Sequence, residues 1–118
     1  MAVEDAAALA EALSFATNHK MVPETLAVFE KVRAKRTSQM QQASLMNGKI
    51  WHFEDGPEQE ARDAGMRNEV EGQDVQESPN QWTDPVTQAW AYGFDAITSV
   101  RVELEDMLNT RPEGVASM

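Results

Sequence analysis

The run from Pro23 to Asn47 does most to limit what this chain can fold into. Proline suits the first turn of a helix, where its missing N–H would have found no acceptor, and Glu24 behind it complements the positive end of the helix dipole. Leu26, Phe29, Val32, Met40 and Ala43 share a broad stripe, and Asn47–Gly48 is a helix-stop pair. A helix of this length predicts an α-rich chain, and no other segment alternates convincingly enough to read as a strand. Between Val32 and Met40 the stripe is interrupted by Lys35, Arg36, Thr37, Ser38 and Gln39, so part of the helix is expected to be exposed or to face a polar partner. The basic cluster Lys31, Arg33, Lys35 and Arg36 has two readings: a solvated helix face, or a face that meets acidic protein surface or an anionic cofactor edge. The solvated face is the ordinary reading, and Glu30 with the acidic second half of the chain offers partners for internal pairing.

Further helices follow from the same rules. From Ala2 to Ala16, Val3, Ala6, Ala7, Leu9, Ala10 and Leu13 are spaced for one apolar face, and Glu4 and Asp5 occupy the first turn. No Ser, Thr, Asp or Asn precedes this helix as a cap, which reads as a start continued from something longer. Ile50, Trp51 and Phe53 anchor a short aromatic connector. Asp55 can cap a third helix from Pro57 and Glu58, weakened by Gly65, with Ala61, Ala64, Met66 and Val70 as its inward candidates. Residues 72–83 read as a loop with Trp82 docked at its end. Asp84 then caps a helix that opens on Pro85 and runs towards Gly93. A last helix from about Asp95 to Asn109 presents Ile97, Val100, Leu104 and Leu108, before a polar tail at 111–118 frays. The fold class is mostly α, about four to five helices with long loops.

Apolar supply is thin. Leu, Ile, Val and Phe fill 22 of 118 positions while the formal net charge is −10, which puts the chain near the boundary where burial fails to offset ordering entropy. The 16 alanines favour helix but each buries little area. Charge is uneven: residues 1–50 carry five acidic and six basic side chains, residues 51–118 fifteen and four. With no cysteine there is no disulfide framework, thiolate metal site or cysteine nucleophile. No stretch approaches the roughly 18 to 20 apolar residues of a membrane span, and the acidic residues near Met1 are wrong for a secretory signal. The expectation is an intracellular, cytoplasmic chain. Net acidity argues against nucleic acid as a partner.

Chemical motifs are sparse. There is no Gly-rich phosphate loop. His19 and His52 are unpaired in sequence, and although Glu54 and Asp55 adjoin His52, adjacent loop side chains seldom converge on a metal, so no metal site is assigned. The carboxylates are too numerous for one acid–base pair to stand out, and no serine lies in a nucleophile elbow. Trp51, Trp82, Trp90 and Tyr92 read as packing anchors before they read as a ligand cage.

Two phrases carry a family resemblance. MAVEDAAALAEAL at Met1–Leu13 resembles the helix that follows the second flavin-binding signature of FAD-dependent aromatic monooxygenases, especially the fungal salicylate-hydroxylase-like members. The run from Gly48 to Ala96, with its DGPEQEARD and SPNQW phrases, resembles their C-terminal region, and FEKVRAKRTSQMQQAS between them is similar to the long family helix with spaced Arg33 and Arg36. In such enzymes a flavin reduced by NADH or NADPH activates oxygen and a phenolic ring is hydroxylated. The resemblance implies that this chain corresponds to the C-terminal part of an α/β enzyme of that kind, with the dinucleotide loop, the Gly-Asp motif and the substrate-binding sheet all before Met1. Residues 1–47 would then be two helices continuing the FAD-binding domain and 48–110 an acidic helical region. Met1 and Ala2 would be the cofactor-binding positions, at the flavin-facing helix start, and no catalytic residue is assigned. FAD would belong to the whole enzyme, with NAD(P)H as co-substrate, and this chain alone would bind none and be silent. Its partners would be the N-terminal FAD domain or a second copy. The alternative is a free-standing acidic helical interaction module without catalysis.

Overall fold

The structure, a computed structural model, describes residues 1–111. In chain order it contains α1 (Ala2–Ser14), a 3-10 turn (His19–Met21), α2 (Val22–Trp51), α3 (Pro57–Gly65), α4 (Arg67–Val70), α5 (Pro85–Tyr92) and α6 (Ala96–Asn109), with no strand among the described residues. The mostly helical class is therefore as the sequence predicts. Of the tail expected at 111–118, Arg111 is described and the rest lies outside the described residues. Packing groups the chain into two units, one of Met1–Ser38 with the chain from Asp95 onward, the other of Gln39–Phe94. That grouping follows contacts in space, whereas the boundary expected near residue 47 followed resemblance and charge.

In the first unit α1 lies against α6. Ala8, Ala12, Val100 and Leu104 have no solvent exposure, and Phe15, Val28, Phe29 and Met107 pack around them. Ala8 and Ala12 sit one turn apart, and with only a methyl group each they let the two helices approach closely. This corrects the inward face expected for α1: Val3 is 85% exposed and Leu13 is exposed as well. The helix is rotated so that Glu4, Asp5, Ala8 and Ala12 share the inner side, because the two carboxylates meet arginines of α2. On α2 the buried residues are Thr25, Arg33 and Arg36, while Leu26 from the expected stripe is exposed. On α6 Val100 and Leu104 are inward as expected, but Ile97 and Leu108 face solvent. Glu11–Arg101 at 2.7 Å, Lys31–Glu103 at 3.5 Å and an Arg111–Glu24 pair add ion contacts at the edges.

The second unit has no fully buried residue among those described. Two carboxylates hold its loop instead. Glu69 accepts hydrogen bonds from Ser78 Oγ at 3.0 Å and Asn80 Nδ2 at 2.8 Å. Asp84 accepts from Ser78 N–H at 3.0 Å, and from the N–H and hydroxyl of Thr87 at 3.0 and 2.7 Å. Its role as N-cap, with Pro85 in the first turn, is as expected. Asp95 caps α6 in the same way.

Several boundaries move. The second helix starts at Val22 and passes through Gly48 to Trp51, because Asn47 accepts from Trp51 Nε1 at 3.0 Å one turn on and so spends its side chain inside the helix. The third helix divides at Gly65, where an added Cβ would lie 3.0 Å from Pro79 Cγ, so glycine permits the loop to close on the helix. Its N-cap is Gly56, with φ at 155°, rather than Asp55. Ala61, Ala64 and Val70 are exposed, and Trp82, expected to dock, is 63% exposed.

Leu104→Ala removes a fully buried side chain from the contact of α1 with α6, and is expected to cost about 3 kcal/mol in urea unfolding. Val102→Ala, at a site 55% exposed on the same helix, is expected to cost less than about 0.5 kcal/mol.

Candidate functional site

The most heavily built polar site is at the start of α1. Met1 is the N-cap of that helix and Ala2 its first residue; both are exposed, and Met1 offers no side-chain cap. The first intrahelical bond runs from Asp5 N–H to Met1 C=O at 2.9 Å.

Directly behind that opening, two guanidinium groups clamp the first turn. Arg33 donates through Nε to Asp5 Oδ1 at 2.6 Å and through Nη2 to Glu4 Oε2 at 3.0 Å. Arg36 donates through Nε to Glu4 Oε2 at 3.3 Å and through Nη2 to Oε1 at 3.1 Å, a forked contact on one carboxylate. The two arginine side chains are only 4% and 3% exposed, so these are nearly desolvated charges that need their partners. Hydrogen bonding from Arg36 is the largest influence on Glu4 and, with the Arg33 contact and the charge of both arginines, outweighs desolvation; its carboxyl is held below the ordinary value. Of the two readings of the basic cluster, Arg33 and Arg36 follow the pairing one, though through Glu4 and Asp5 and not through Glu30 or the acidic second half, whereas Lys35 is solvated. The i, i+3 spacing of Arg33 and Arg36 and the adjacent Glu4 and Asp5 were visible in the sequence. The match between two segments about thirty residues apart was not.

Other sequence candidates stay apart. His52 lies on the exposed end of the α2 region with Nδ1 2.7 Å from the Gly48 carbonyl oxygen. With Glu54, Asp55 and Glu58 it lines an open cavity of about 340 Å³, yet no group of three or more His, Cys, Asp or Glu among the described residues is arranged to hold a metal ion. No helix among the described residues is long and apolar enough to cross a membrane. Trp51, expected as an anchor of the connector, is 41% exposed, with the Arg62 guanidinium 5.8 Å from its ring centroid.

No protein-family profile matches the chain. Among curated proteins it is similar to the FAD-dependent monooxygenase OpS4 of Beauveria bassiana (strain ARSEF 2860), with 36% identity over 96 residues, 81% of this chain and 22% of that protein. It is also similar to the FAD-dependent monooxygenase atnJ of an Arthrinium species, with 40% identity over 63 residues, 53% of this chain and 15% of that protein. The chain is thus related to the FAD-dependent monooxygenases and spans only 22% and 15% of the length of these two relatives.

Removing the Glu4 charge takes one of the clamp's two carboxylates away from the buried guanidinium groups and leaves Asp5 on Arg33. Glu4→Gln is therefore expected to lower stability by about 2 kcal/mol at neutral pH. Because the folded chain holds the Glu4 carboxyl below its ordinary value, the stabilisation is complete above the unfolded carboxylate range and is lost as pH falls through the lowered folded value. Urea midpoints measured between neutral pH and about pH 3 should fall more steeply for the wild type than for Glu4→Gln.

Proposed function

We propose that this chain serves as the helical portion, following the flavin motifs, of an FAD-dependent hydroxylase that uses NADH or NADPH and acts on aromatic, salicylate-like substrates. The observation that carries the reading is the clamp on α1. Arg33 and Arg36 hold Glu4 and Asp5, and so fix the direction of the N–H groups at Met1 and Ala2, where resemblance to the family puts the flavin's electron-rich pyrimidine edge. When bound, the flavin would supply the oxygen chemistry; the part of this chain would be to orient one edge of it. The residues present suit that edge only, since the sequence has no Gly-rich loop to cradle the dinucleotide phosphates. On this reading the chain by itself neither retains flavin nor hydroxylates, and its partner is an FAD-binding domain.

The second unit supports a covering role. It holds together through Glu69 and Asp84 without a fully buried residue, and it leaves Leu45 70%, Met46 51% and Val86 74% exposed. Apolar side chains in that position are suited to burial against another body.

The test is spectroscopic. The purified chain mixed with FAD and passed over a desalting column is expected to emerge without visible flavin absorption and to oxidise neither NADH nor NADPH in the presence of salicylate. Supplied as a separate polypeptide to OpS4 from which the matching segment has been deleted, it is expected to restore flavin retention, and Glu4→Gln to weaken that restoration several-fold. Stoichiometric flavin on the isolated chain, or no restoration by a chain that is folded by circular dichroism, would overturn the reading.

A further inference from the structure

The second unit contains a pocket that the monooxygenase reading does not use. Trp82 from the loop, Trp90 and Tyr92 from α5, and Met40 and Asn47 from α2 line a half-open cavity of about 150 Å³. That is the size of an engineered cavity that admits one benzene ring. Three of its lining residues are aromatic, and none is charged. It lies in a segment, residues 39–94, with ten acidic and three basic side chains.

We propose that this pocket is an aromatic cage for a quaternary ammonium group. Three features favour that ligand chemistry. Aromatic faces attract a cation through their quadrupoles, and this is strongest for tryptophan. The acidic surroundings raise the local concentration of cations, while the uncharged lining provides no carboxylate to form hydrogen bonds with a primary ammonium. A quaternary head has no N–H to satisfy and presents methyl groups, so it suits the rings and the Met40 thioether of a wall that also carries the neutral side chains of Ser44, Asn47, Gln81 and Thr87. In addition, Ala91 and Tyr92 belong to the last turn of α5, where the helix dipole is negative.

The cage is also held open. Trp82 is 63% and Tyr92 69% exposed, so neither ring is used up in a core. Trp82 is nonetheless fixed at both ends of its peptide unit: its N–H donates to Asn80 Oδ1 at 3.1 Å, and its carbonyl accepts from the Gln88 side-chain amide. Asn80 is in turn bound to Glu69 and Ser78. The loop therefore supplies a preorganised wall, which reduces the ordering needed on binding.

Titration of the full 118-residue chain with tetramethylammonium chloride, followed by tryptophan fluorescence against a sodium chloride control, is expected to saturate with Kd on the order of 1 mM. Choline should bind at least about tenfold more tightly than its uncharged isostere 3,3-dimethylbutan-1-ol. Trp82→Ala should weaken tetramethylammonium binding about tenfold and Trp82→Phe much less; the exposure of residue 82 makes either variant compatible with folding, to be checked by circular dichroism. Comparing free choline with a peptide carrying trimethyllysine distinguishes a small-molecule source from a protein one, and tighter binding of either supports the cage. Equal binding of the neutral alcohol, stronger binding of phenol than of tetramethylammonium, an unaffected Trp82→Ala variant, or no saturation beyond the salt control would overturn it.

Discussion

The contact on which the first unit depends is the meeting of Arg33 and Arg36 with Glu4 and Asp5. Burying a guanidinium to a few per cent exposure is unfavourable by several kcal/mol unless its donors find charged acceptors, and here two carboxylates on adjacent residues receive hydrogen bonds from both arginines. The requirement fixes the rotation of α1. Once Glu4 and Asp5 face α2, the residues on the same side one and two turns later are Ala8 and Ala12, and these become the surface offered to α6. The apolar residues that periodicity would have turned inward, Val3 and Leu13, are carried outward as a consequence. Electrostatic pairing has set the helix orientation, and hydrophobic packing has accommodated it with the smallest side chains available.

That order of priority explains what could be read in advance and what could not. Local rules located Asp84 and Pro85 correctly, because a cap and the first helical turn are decided by residues within four positions of each other, while Asp95, read as the approximate start of the last helix, is its N-cap. Val100 and Leu104 were legible because α6 has enough large apolar residues to define a face. The buried face of α1 was not, since three large apolar side chains, Val3, Leu9 and Leu13, among many alanines leave its rotation to a partner outside the segment. The arginines were left between two readings for a related reason. A basic run at helical spacing is compatible with solvent, the ordinary reading, and with pairing, and only the three-dimensional approach of Glu4 and Asp5 decides for Arg33 and Arg36 while leaving Lys35 exposed. Gly48 shows the same limit on a smaller scale: a stop signal was overridden by the bond between Trp51 and Asn47.

The sparse apolar composition has a different meaning in each unit. In the first, a small core of two alanines, a valine and a leucine suffices because ion pairs constrain the helices around it. In the second, no described residue is fully buried, and order comes from Glu69 and Asp84 gathering the loop between α4 and α5. Polar networks of this sort specify geometry well but add little net stability, since each hydrogen bond replaces one to water. A unit built that way can keep aromatic side chains such as Trp82 and Tyr92 at its surface without collapsing around them. Function on such a scaffold is expected where rigid polar supports meet unspent apolar area. Both places singled out in this chain have that character: the arginine-clamped opening of α1, and the aromatic pocket behind the Asn80-anchored loop.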